Sequence, residues 1–389
     1  MEKKAKQLSF LEIAIPFLYI AGEYKIASGP LSWLLSFLVL FYLVAKYGLR
    51  KVGVFRPLLY LFVFMVFHDL VKGLYSTVNY GAWAERLLFF ILIVLLIGRV
   101  NEDLLFKVWS VLSIIVIAGI VFHSYQVYFL HIPATQIRVI PLQFFDEANA
   151  QYAYFRPRSI FSEPAACASW LLPLLAYSLK KSNVLFSVII TISILLTTSS
   201  VGVVMVAVLW IYTLFGNNAK MGLRRKIALT IIMIVFVWAF LSTGIFSDTS
   251  TKILSISIDN GSDYSRVLLG LMLFINAPLL IKLWGIPYVT VEDYLRYGGI
   301  DLSRYHLSSN YSFLGFVNGF GNCILNYGII GLILLVRFYY KLFWVVNNNI
   351  KGYYIVCVIS LMCQSVFFNT YFLMQMAILL GTSEYLSQK

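Results

Sequence analysis

The sequence predicts an all-α integral membrane protein that crosses the bilayer about twelve times. Of its 389 residues, 60% are hydrophobic and 12% are charged, whereas a water-soluble domain has about a quarter of its residues charged. Apolar runs of about 18 residues recur along the whole chain, and a helix of that length crosses roughly 30 Å of hydrocarbon. Because open sheet edges cannot be satisfied in lipid, these runs predict transmembrane helices.

The apolar runs define twelve predicted spans within a single membrane domain over residues 1–389. They cover residues 9–23, 30–46, 57–72, 84–98, 108–130, 160–179, 183–199, 201–216, 227–245, 313–336, 352–368 and 370–384. Two long segments remain on one side of the membrane. These are a first outer loop at 131–159 and a second, larger outer loop at 246–312, which we expect to contain interfacial helices.

The distribution of Lys and Arg predicts the orientation of the spans. With the N-terminus in the cytoplasm, 19 of the 30 basic residues lie inside, and eight of the other 11 lie in the two long outer loops. The positive-inside bias is counted over short loops, so this asymmetry favours cytoplasmic termini and outward-facing long loops. The net charge of +13 is therefore a topology signal and does not indicate nucleic-acid binding.

The first span and the inner loops exclude several classes of protein. The apolar run from Leu8 to Ala21 resembles a signal peptide, but no small-x-small cleavage site precedes Glu23 and Lys25, so we expect an uncleaved span. The four cysteines lie in predicted spans without a C-x-x-C pair, which argues against disulfides and zinc. The inner loops are short and lack a Walker-type phosphate loop, which disfavours ATP-driven transport.

The first outer loop leads directly into the sixth span. Pro133, Pro141 and Pro157 argue against one continuous helix in the loop. Pro164 sits where a first-turn proline is tolerated, and Glu163 lies at the positive end of the helix that follows. The first residues of this helix are small, which allows a neighbouring helix to approach closely. They include Ala165, Ala166, Ala168 and Ser169.

Two arginines precede this helix start. Arg156 and Arg158 present donor forks suited to phosphate oxygens, so the segment predicts an anion site at the membrane surface. An interfacial charge cluster without a ligand is the alternative interpretation. Glu163 either completes the helix terminus or pairs with Arg158, or it acts near a reacting sugar hydroxyl.

The second outer loop is too long for a simple turn. Its apolar stretch 266–284 is interrupted at Asn276-Ala277-Pro278, which predicts broken helices at the interface; a pair of additional spans is the alternative. The candidates for chemistry in this loop are Arg266, Arg296, Arg304 and His306. The tyrosine rings nearby are candidate platforms for stacking a sugar, namely Tyr264, Tyr294, Tyr297 and Tyr305. Tyr is also common at any membrane interface.

Three further charges lie at or near spans. Asp69, Glu85 and Arg86 are functional candidates because ionisable groups within a membrane are costly. All three can reach the outer interface. Apart from Asn276 and Pro278, the chain has few of the mid-depth polar groups and broken helices expected of a transporter.

Four segments carry short motifs in order along the chain. RSIFSEPAA at 158–166 has an arginine ahead of Glu-Pro at a predicted helix start, LLTTSSVGVV at 195–204 has Val201 between Ser200 and a glycine, DYSRVLL at 263–269 carries Arg266, and the fourth segment, at 306–333, reads HLSSNYSFLGFVNGFGNCILNYGIIGLI. Together they resemble, in order, motifs of the Wzy-type O-antigen polymerases, which form a superfamily with the O-antigen ligases. In that family the second motif usually reads Ser-Arg-x-Gly, so Val201 stands in place of the usual Arg. The third segment resembles the Arg-bearing start of the large periplasmic loop, and the fourth resembles the passage with His or Asn, tyrosine and Gly-x-x-Gly that leads out of it.

The resemblance implies a GT-C-like fold and a metal-independent glycosyltransferase in the bacterial inner membrane, with its active site facing the periplasm. Such an enzyme transfers the growing glycan from undecaprenyl pyrophosphate to the terminal sugar of a new lipid-linked repeat unit. Its partners are that donor and acceptor, membrane lipid and a protein that regulates chain length, with no nucleic acid and no cofactor. An O-antigen ligase acting on lipid A core, a flippase or transporter, and a membrane scaffold remain alternatives.

The resemblance and the residues together assign roles to six side chains. Arg158 and Arg266, assisted by Arg156 or Arg304, are expected to bind the pyrophosphate, because cations stabilise the charge that grows on the leaving group. His306 or Glu163 is expected to orient or deprotonate the acceptor hydroxyl.

Overall fold

A computed structural model describes residues 9–27, 29–48, 53–74, 80–145, 154–216, 268–288, 290–305 and 317–383. The described chain is mostly helical and contains one short antiparallel strand pair, which confirms the all-α prediction. It separates into two compact units. The first unit comprises 1–39, 100–254 and 347–356, and the second comprises 40–99, 255–346 and 357–389.

The helices and strands are numbered here in chain order. They are α1 (Phe10–Gly22), β1 (Lys25–Ile26), β2 (Gly29–Pro30), α2 (Ser32–Tyr47), α3 (Arg56–Lys72), α4 (Tyr80–Leu96), α5 (Glu102–Ser124), α6 (Pro164–Lys180), α7 (Val184–Leu196), α8 (Ser200–Phe215), α9 (Gly270–Asn276), α10 (Leu279–Trp284), α11 (Val291–Tyr297), α12 (Gly319–Val345), α13 (Lys351–Cys363) and α14 (Thr370–Leu379). A π-helical turn at Tyr125–Phe129 extends α5, and short 3-10 turns occupy Leu302–Tyr305 and Asn348–Ile350.

Short polar side chains start the helices of the first unit. Asn101 accepts a hydrogen bond from the Leu104 amide at the start of α5, and Ser199 accepts one from the Gly202 amide at the start of α8. These N-caps satisfy amide donors that have no partner within the helix. Helix α6 begins differently, with Pro164 after the extended residue Glu163, as the sequence predicted.

Helix α6 packs against α5, α7 and α8 at the centre of the first unit. Ala168 on α6 faces Gly202 on α8 so closely that a Cβ added at Gly202 would lie 2.8 Å from the Ala168 Cβ and 3.0 Å from the Ile194 Cγ2. Small residues at the start of α6 therefore allow the close helix approach that the sequence predicted.

Replacing Gly202 by Val should lower the free energy of unfolding by about 1–3 kcal/mol, because the added atoms must displace α6 or α7. Thermal unfolding of the purified protein, followed by tryptophan fluorescence, measures the change. Ala207→Val on the exposed face of the same helix is the control and should leave the midpoint unchanged. Equal midpoints for the two variants would contradict the close packing of α6 on α8.

In the second unit, α12 contacts α3, α9 and α10. It is kinked at Gly328, whose φ of +61° lies in the left-handed region. The prediction ended this span at residue 336, but α12 continues to Val345. Arg337 and Lys341 therefore lie on the helix. Long basic side chains can extend along an apolar surface and keep the charged group at its edge. The Arg337 guanidinium lies over the Tyr60 ring.

The described part of the apolar stretch in the predicted second outer loop contains two short helices, as predicted from its interruption. α9 ends at Asn276, whose side chain donates to the Met272 carbonyl at 2.8 Å, and Ala277 is extended. Pro278 precedes α10. At seven and six residues, neither helix is long enough to cross a bilayer.

Several helices present apolar side chains outward as well as inward. On α5, the outward face carries Val111, Ile114 and Ile115, each about 60% exposed, while Trp109 and Val116 are buried on the opposite face. Among the described residues, two helical segments are long and apolar enough to cross a membrane, Glu102–Phe129 and Gly319–Val345. Five shorter apolar helices accompany them. The predicted span at 227–245 lies outside the described residues.

The described part of the predicted first outer loop packs against the end of α1. The Lys25 amide donates to the Gln143 carbonyl at 2.8 Å, and the Phe145 amide donates to the Glu23 carbonyl at 2.7 Å. Tyr24 is buried there, and burial raises the pKa of its hydroxyl. The backbone of Glu23 is therefore anchored before its side chain reaches the site described next.

Candidate functional site: the arginine turn before helix α6

The segment 156–163, called here the arginine turn, connects the predicted first outer loop to α6. Ser159 lies in its middle with a φ of +54°, a left-handed conformation that is uncommon for a residue other than glycine. Such a conformation costs roughly 1–3 kcal/mol and persists only where surrounding contacts enforce it. The contacts that enforce it come from α5 and from the end of α1.

His123 on α5 fixes the middle of the arginine turn. Its Nδ1 accepts hydrogen bonds from the backbone amides of Ser159, at 3.1 Å, and Arg158, at 3.3 Å. Because Nδ1 accepts both bonds, the ring is neutral and its proton lies on Nε2. One helical turn earlier, Gly119 leaves the space that Ser159 occupies: a Cβ there would lie 3.1 Å from the Ser159 Cβ.

Glu23 fixes the end of the arginine turn. Its Oε2 accepts hydrogen bonds from the Ser162 amide at 2.8 Å and from the Ser162 hydroxyl at 2.5 Å. The carbonyl of Ser162 in turn accepts a bond from the Arg158 Nη1 at 3.0 Å. One serine thus connects a carboxylate to a guanidinium.

Arg158 is only 1% exposed, which is unusual for a charged side chain. Its guanidinium lies 5.5 Å from the centre of the Tyr154 ring, within cation–π distance. Burying a cation is costly unless hydrogen bonds and negative charge compensate. The Ser162 carbonyl and the Glu23 carboxylate behind it contribute that compensation.

Arg156 reaches the turn that precedes α8. Its Nε donates to the Thr198 Oγ1 at 3.1 Å and its Nη2 donates to the Thr198 carbonyl at 2.5 Å. Thr198 is left-handed, with a φ of +53°, although a β-branched residue adopts this conformation rarely. The Arg156 guanidinium therefore lies at the turn between α7 and α8.

Glu163 lies at the junction of the arginine turn and α6. Its backbone is extended, its carbonyl accepts from the Cys167 amide at 3.2 Å, and its side chain makes no capping hydrogen bond. The carboxylate therefore does not complete the helix terminus through a cap, which was one of the roles predicted for it. The side chain is half-buried beside the two arginines in sequence.

The other predicted site residues belong to the second unit or to segments outside the described residues. Arg304 is exposed, and its Nε lies 3.6 Å from the Asp301 Oδ2. The pKa of Asp301 is lowered, first by the Ser303 hydroxyl that donates to it and also by Arg304. Arg266 and His306 lie outside the described residues, as does Tyr264.

Two of the tyrosines predicted as sugar platforms are buried. Tyr294 and Tyr305 belong to the hydrophobic core of the second unit, where they pack with Leu269 and Leu295. Burial raises the pKa of Tyr294. Tyr297 is 72% exposed and retains a ring face accessible to a ligand.

The charges near the third and fourth spans form a network in the second unit. Arg86 on α4 forms an ion pair with Asp69 on α3, and its Nη1 donates to the Tyr327 hydroxyl at 2.7 Å. That hydroxyl donates to the Asp69 Oδ2 at 3.3 Å. Three helices meet at this network, so its geometry indicates a structural connection between them.

Two more polar side chains of α3 extend this network. The Lys72 Nζ donates to the Tyr288 carbonyl at 3.3 Å and lies over the Tyr327 ring. The His68 Nε2 lies 2.5 Å from the Trp284 carbonyl. Polar groups in an apolar unit are costly unless they are paired, and these bonds tie α3 to the end of α10.

Tyr327→Phe should lower the free energy of unfolding by about 1–2 kcal/mol, because it removes the hydroxyl that bridges Arg86 and Asp69. The thermal midpoint of the purified protein measures this loss. Tyr340→Phe, on an exposed part of the same helix, is the matched control. A midpoint equal to that of the control would show that the network adds no stability.

Sequence reasoning found both arginines and Glu163 but missed the residues that fix them, Glu23, His123 and Thr198. Glu23 and His123 each carry a signal, because each is a polar residue near the C-terminal end of an apolar helix. Among the described residues, no group of three His, Cys, Asp or Glu side chains could bind a metal ion. No family model and no curated protein sequence matches this chain.

Proposed function

We propose that the chain is a multi-pass protein of the bacterial inner membrane, with about twelve spans and both termini in the cytoplasm. The outward apolar faces support this proposal. A water-soluble protein rarely exposes contiguous apolar patches of more than a few hundred Å². Helix α5 alone exposes Val111, Ile114, Ile115 and Val121 by more than half.

Within that membrane, the proposed activity is polymerisation of lipid-linked oligosaccharide repeat units at the periplasmic face. The single observation that carries the proposal is the arginine turn, where Thr198 binds the Arg156 guanidinium, the Ser162 carbonyl binds the Arg158 guanidinium and His123 binds the Arg158 backbone amide. Two fixed guanidinium groups at the outer end of a predicted span suit a pyrophosphate that is attached to a lipid.

The proposed reaction has one transfer step. The acceptor hydroxyl oxygen attacks the anomeric carbon of the donor glycan, and the bond from that carbon to the pyrophosphate oxygen breaks. The lipid pyrophosphate leaves with the electron pair of that bond, and the hydroxyl proton passes to Glu163 or His306. Cations preorganised around the leaving oxygens stabilise this transition state more than the ground state.

Arg158 and Arg156 have different parts in this proposal. Arg158 is buried and fixed, so it supplies a charge in a region of low dielectric, where electrostatic stabilisation is strongest. Arg156 binds the Thr198 carbonyl and hydroxyl, so it also connects the arginine turn to α8. The sequence alone predicts the same role for Arg266 and Arg304 of the predicted second outer loop.

A deletion strain complemented by the intact chain tests the proposal through the gel profile of its surface polysaccharide. We expect the deletion to reduce the ladder to core plus one repeat unit, and the intact chain to restore it. Lipid-linked polymer that accumulates without reaching the core would instead indicate a ligase. An unchanged ladder would contradict both transferases and favour a transporter or a scaffold.

A further inference from the structure

Two residues outside the proposed catalytic set determine where the Arg158 guanidinium lies. His123 binds the backbone of Arg158, and Glu23 binds Ser162, whose carbonyl receives the guanidinium. We infer that His123 and Glu23 are positioning residues for Arg158. This inference rests on the proposed function and deepens it.

The first argument concerns the two amides that converge on His123. Successive backbone amides point at a common acceptor when a residue in the left-handed region follows one in the right-handed helical region. This arrangement usually binds an anion. In this chain the acceptor is the lone pair of the His123 Nδ1, which receives the amides of Arg158 and Ser159. The His123 ring is fully buried, so a water molecule does not take its place as the acceptor of these amides.

The second argument concerns Glu23. Its backbone carbonyl is bound by the Phe145 amide, and its Oε2 is bound by both the amide and the hydroxyl of Ser162. One carboxylate oxygen therefore holds both the backbone and the side chain of Ser162, so Glu23 is suited to fixing this residue.

The third argument concerns the direction of the effect. A guanidinium that stabilises a departing pyrophosphate must match the position of the charge in the transition state. A misplacement of about 1 Å can cost roughly 10²-fold in rate. Loss of either positioning residue should therefore lower kcat more than it raises KM for the donor, because the displaced charge remains present.

The test measures polymerisation of lipid-linked repeat units by the purified full-length chain. His123→Leu removes the acceptor and should lower kcat by roughly 10²-fold. His123→Asn places an amide oxygen near the position of Nδ1 and should recover most of that loss. Glu23→Leu should behave like His123→Leu, and Glu23→Gln, which retains an oxygen for Ser162, should recover part of the activity.

Three outcomes would overturn the inference. The first is full activity in His123→Leu, and the second is activity in His123→Asn as low as that in His123→Leu at equal thermal midpoints. If His123→Leu cannot be purified, His123→Gln replaces it, because its amide reaches the Nε2 position and leaves Nδ1 without a substitute. Full activity in that variant would be the third outcome.

The same assay separates this inference from the proposed function. Arg158→Ala should be inactive if the arginine turn binds the donor. If Arg158→Ala is inactive but the His123 and Glu23 variants are fully active, the positioning role of His123 and Glu23 is rejected and the proposed site is retained. An active Arg158→Ala would reject the proposed site itself.

Discussion

Cells that carry Arg158→Ala should make little or no long-chain surface polysaccharide and should accumulate lipid-linked repeat units. Arg158 is the most deeply buried cation of the arginine turn, and its guanidinium is fixed by the Ser162 carbonyl. Removing one preorganised donor to a developing anion typically costs roughly 10²- to 10³-fold in rate. Gel electrophoresis of the polysaccharide, at matched protein levels, measures the effect.

Two matched variants make this result specific. Arg158→Lys keeps the positive charge but loses the planar fork, so we expect a ladder of reduced length and not a normal one. Lys181→Ala removes an exposed cation just after the far end of α6, where Lys181 pairs with Asp103, and should leave the ladder intact. A normal ladder in Arg158→Ala would contradict the assignment of the pyrophosphate site.

Gly328→Val should prevent recovery of folded protein. Gly328 has a φ of +61° inside α12, and a Cβ there would overlap the carbonyl group of Leu283. Gly285 is also left-handed, and its Cβ position is blocked by the backbone of Asn326 and Tyr327. The two glycines allow the end of α10 to touch the kink of α12, and the Ile286 amide donates there to the Leu325 carbonyl at 2.8 Å.

The control for this variant separates backbone strain from collision. Gly299 has a similar φ of +67° in the same unit, but no atom lies within 4 Å of its Cβ position. Gly299→Val therefore carries the conformational cost alone and should still yield protein, with a lower thermal midpoint. Size-exclusion chromatography of both variants after solubilisation compares their folded yields. Similar yields would show that α10 and α12 tolerate separation at this point.

The helices could be predicted because apolar runs and polar helix starts are local signals. The break at Asn276-Ala277-Pro278 and the proline at the start of α6 are of this kind, and both predictions are confirmed. The end of α12 was predicted too early because Arg337 and Lys341 were interpreted as loop residues. Basic residues end an apolar run in sequence without ending the helix.

The contacts of the site could not be predicted because they join residues far apart in the chain. Glu23 meets Ser162 over 139 positions, and His123 meets Ser159 over 36. No periodicity connects these pairs. The left-handed conformations of Ser159 and Thr198 are equally hidden, since neither residue is a glycine. Burial likewise separates Tyr294 and Tyr305 from Tyr297, although the sequence suggested the same role for all three.

The three anchors of the arginine turn also set an order for assembly during synthesis. Glu23 and His123 emerge from the ribosome before the turn, but Thr198, the partner of Arg156, emerges 42 residues after it. Because chains fold from the N-terminal end as they are made, the arginine turn can contact Glu23 and His123 as soon as it is synthesised, whereas its contact with Thr198 forms later. A nascent chain that has completed only its first six helices still lacks the contact that fixes Arg156. Both arginines therefore have their partners only after the turn between α7 and α8 has been made, so a shorter chain does not carry a finished site.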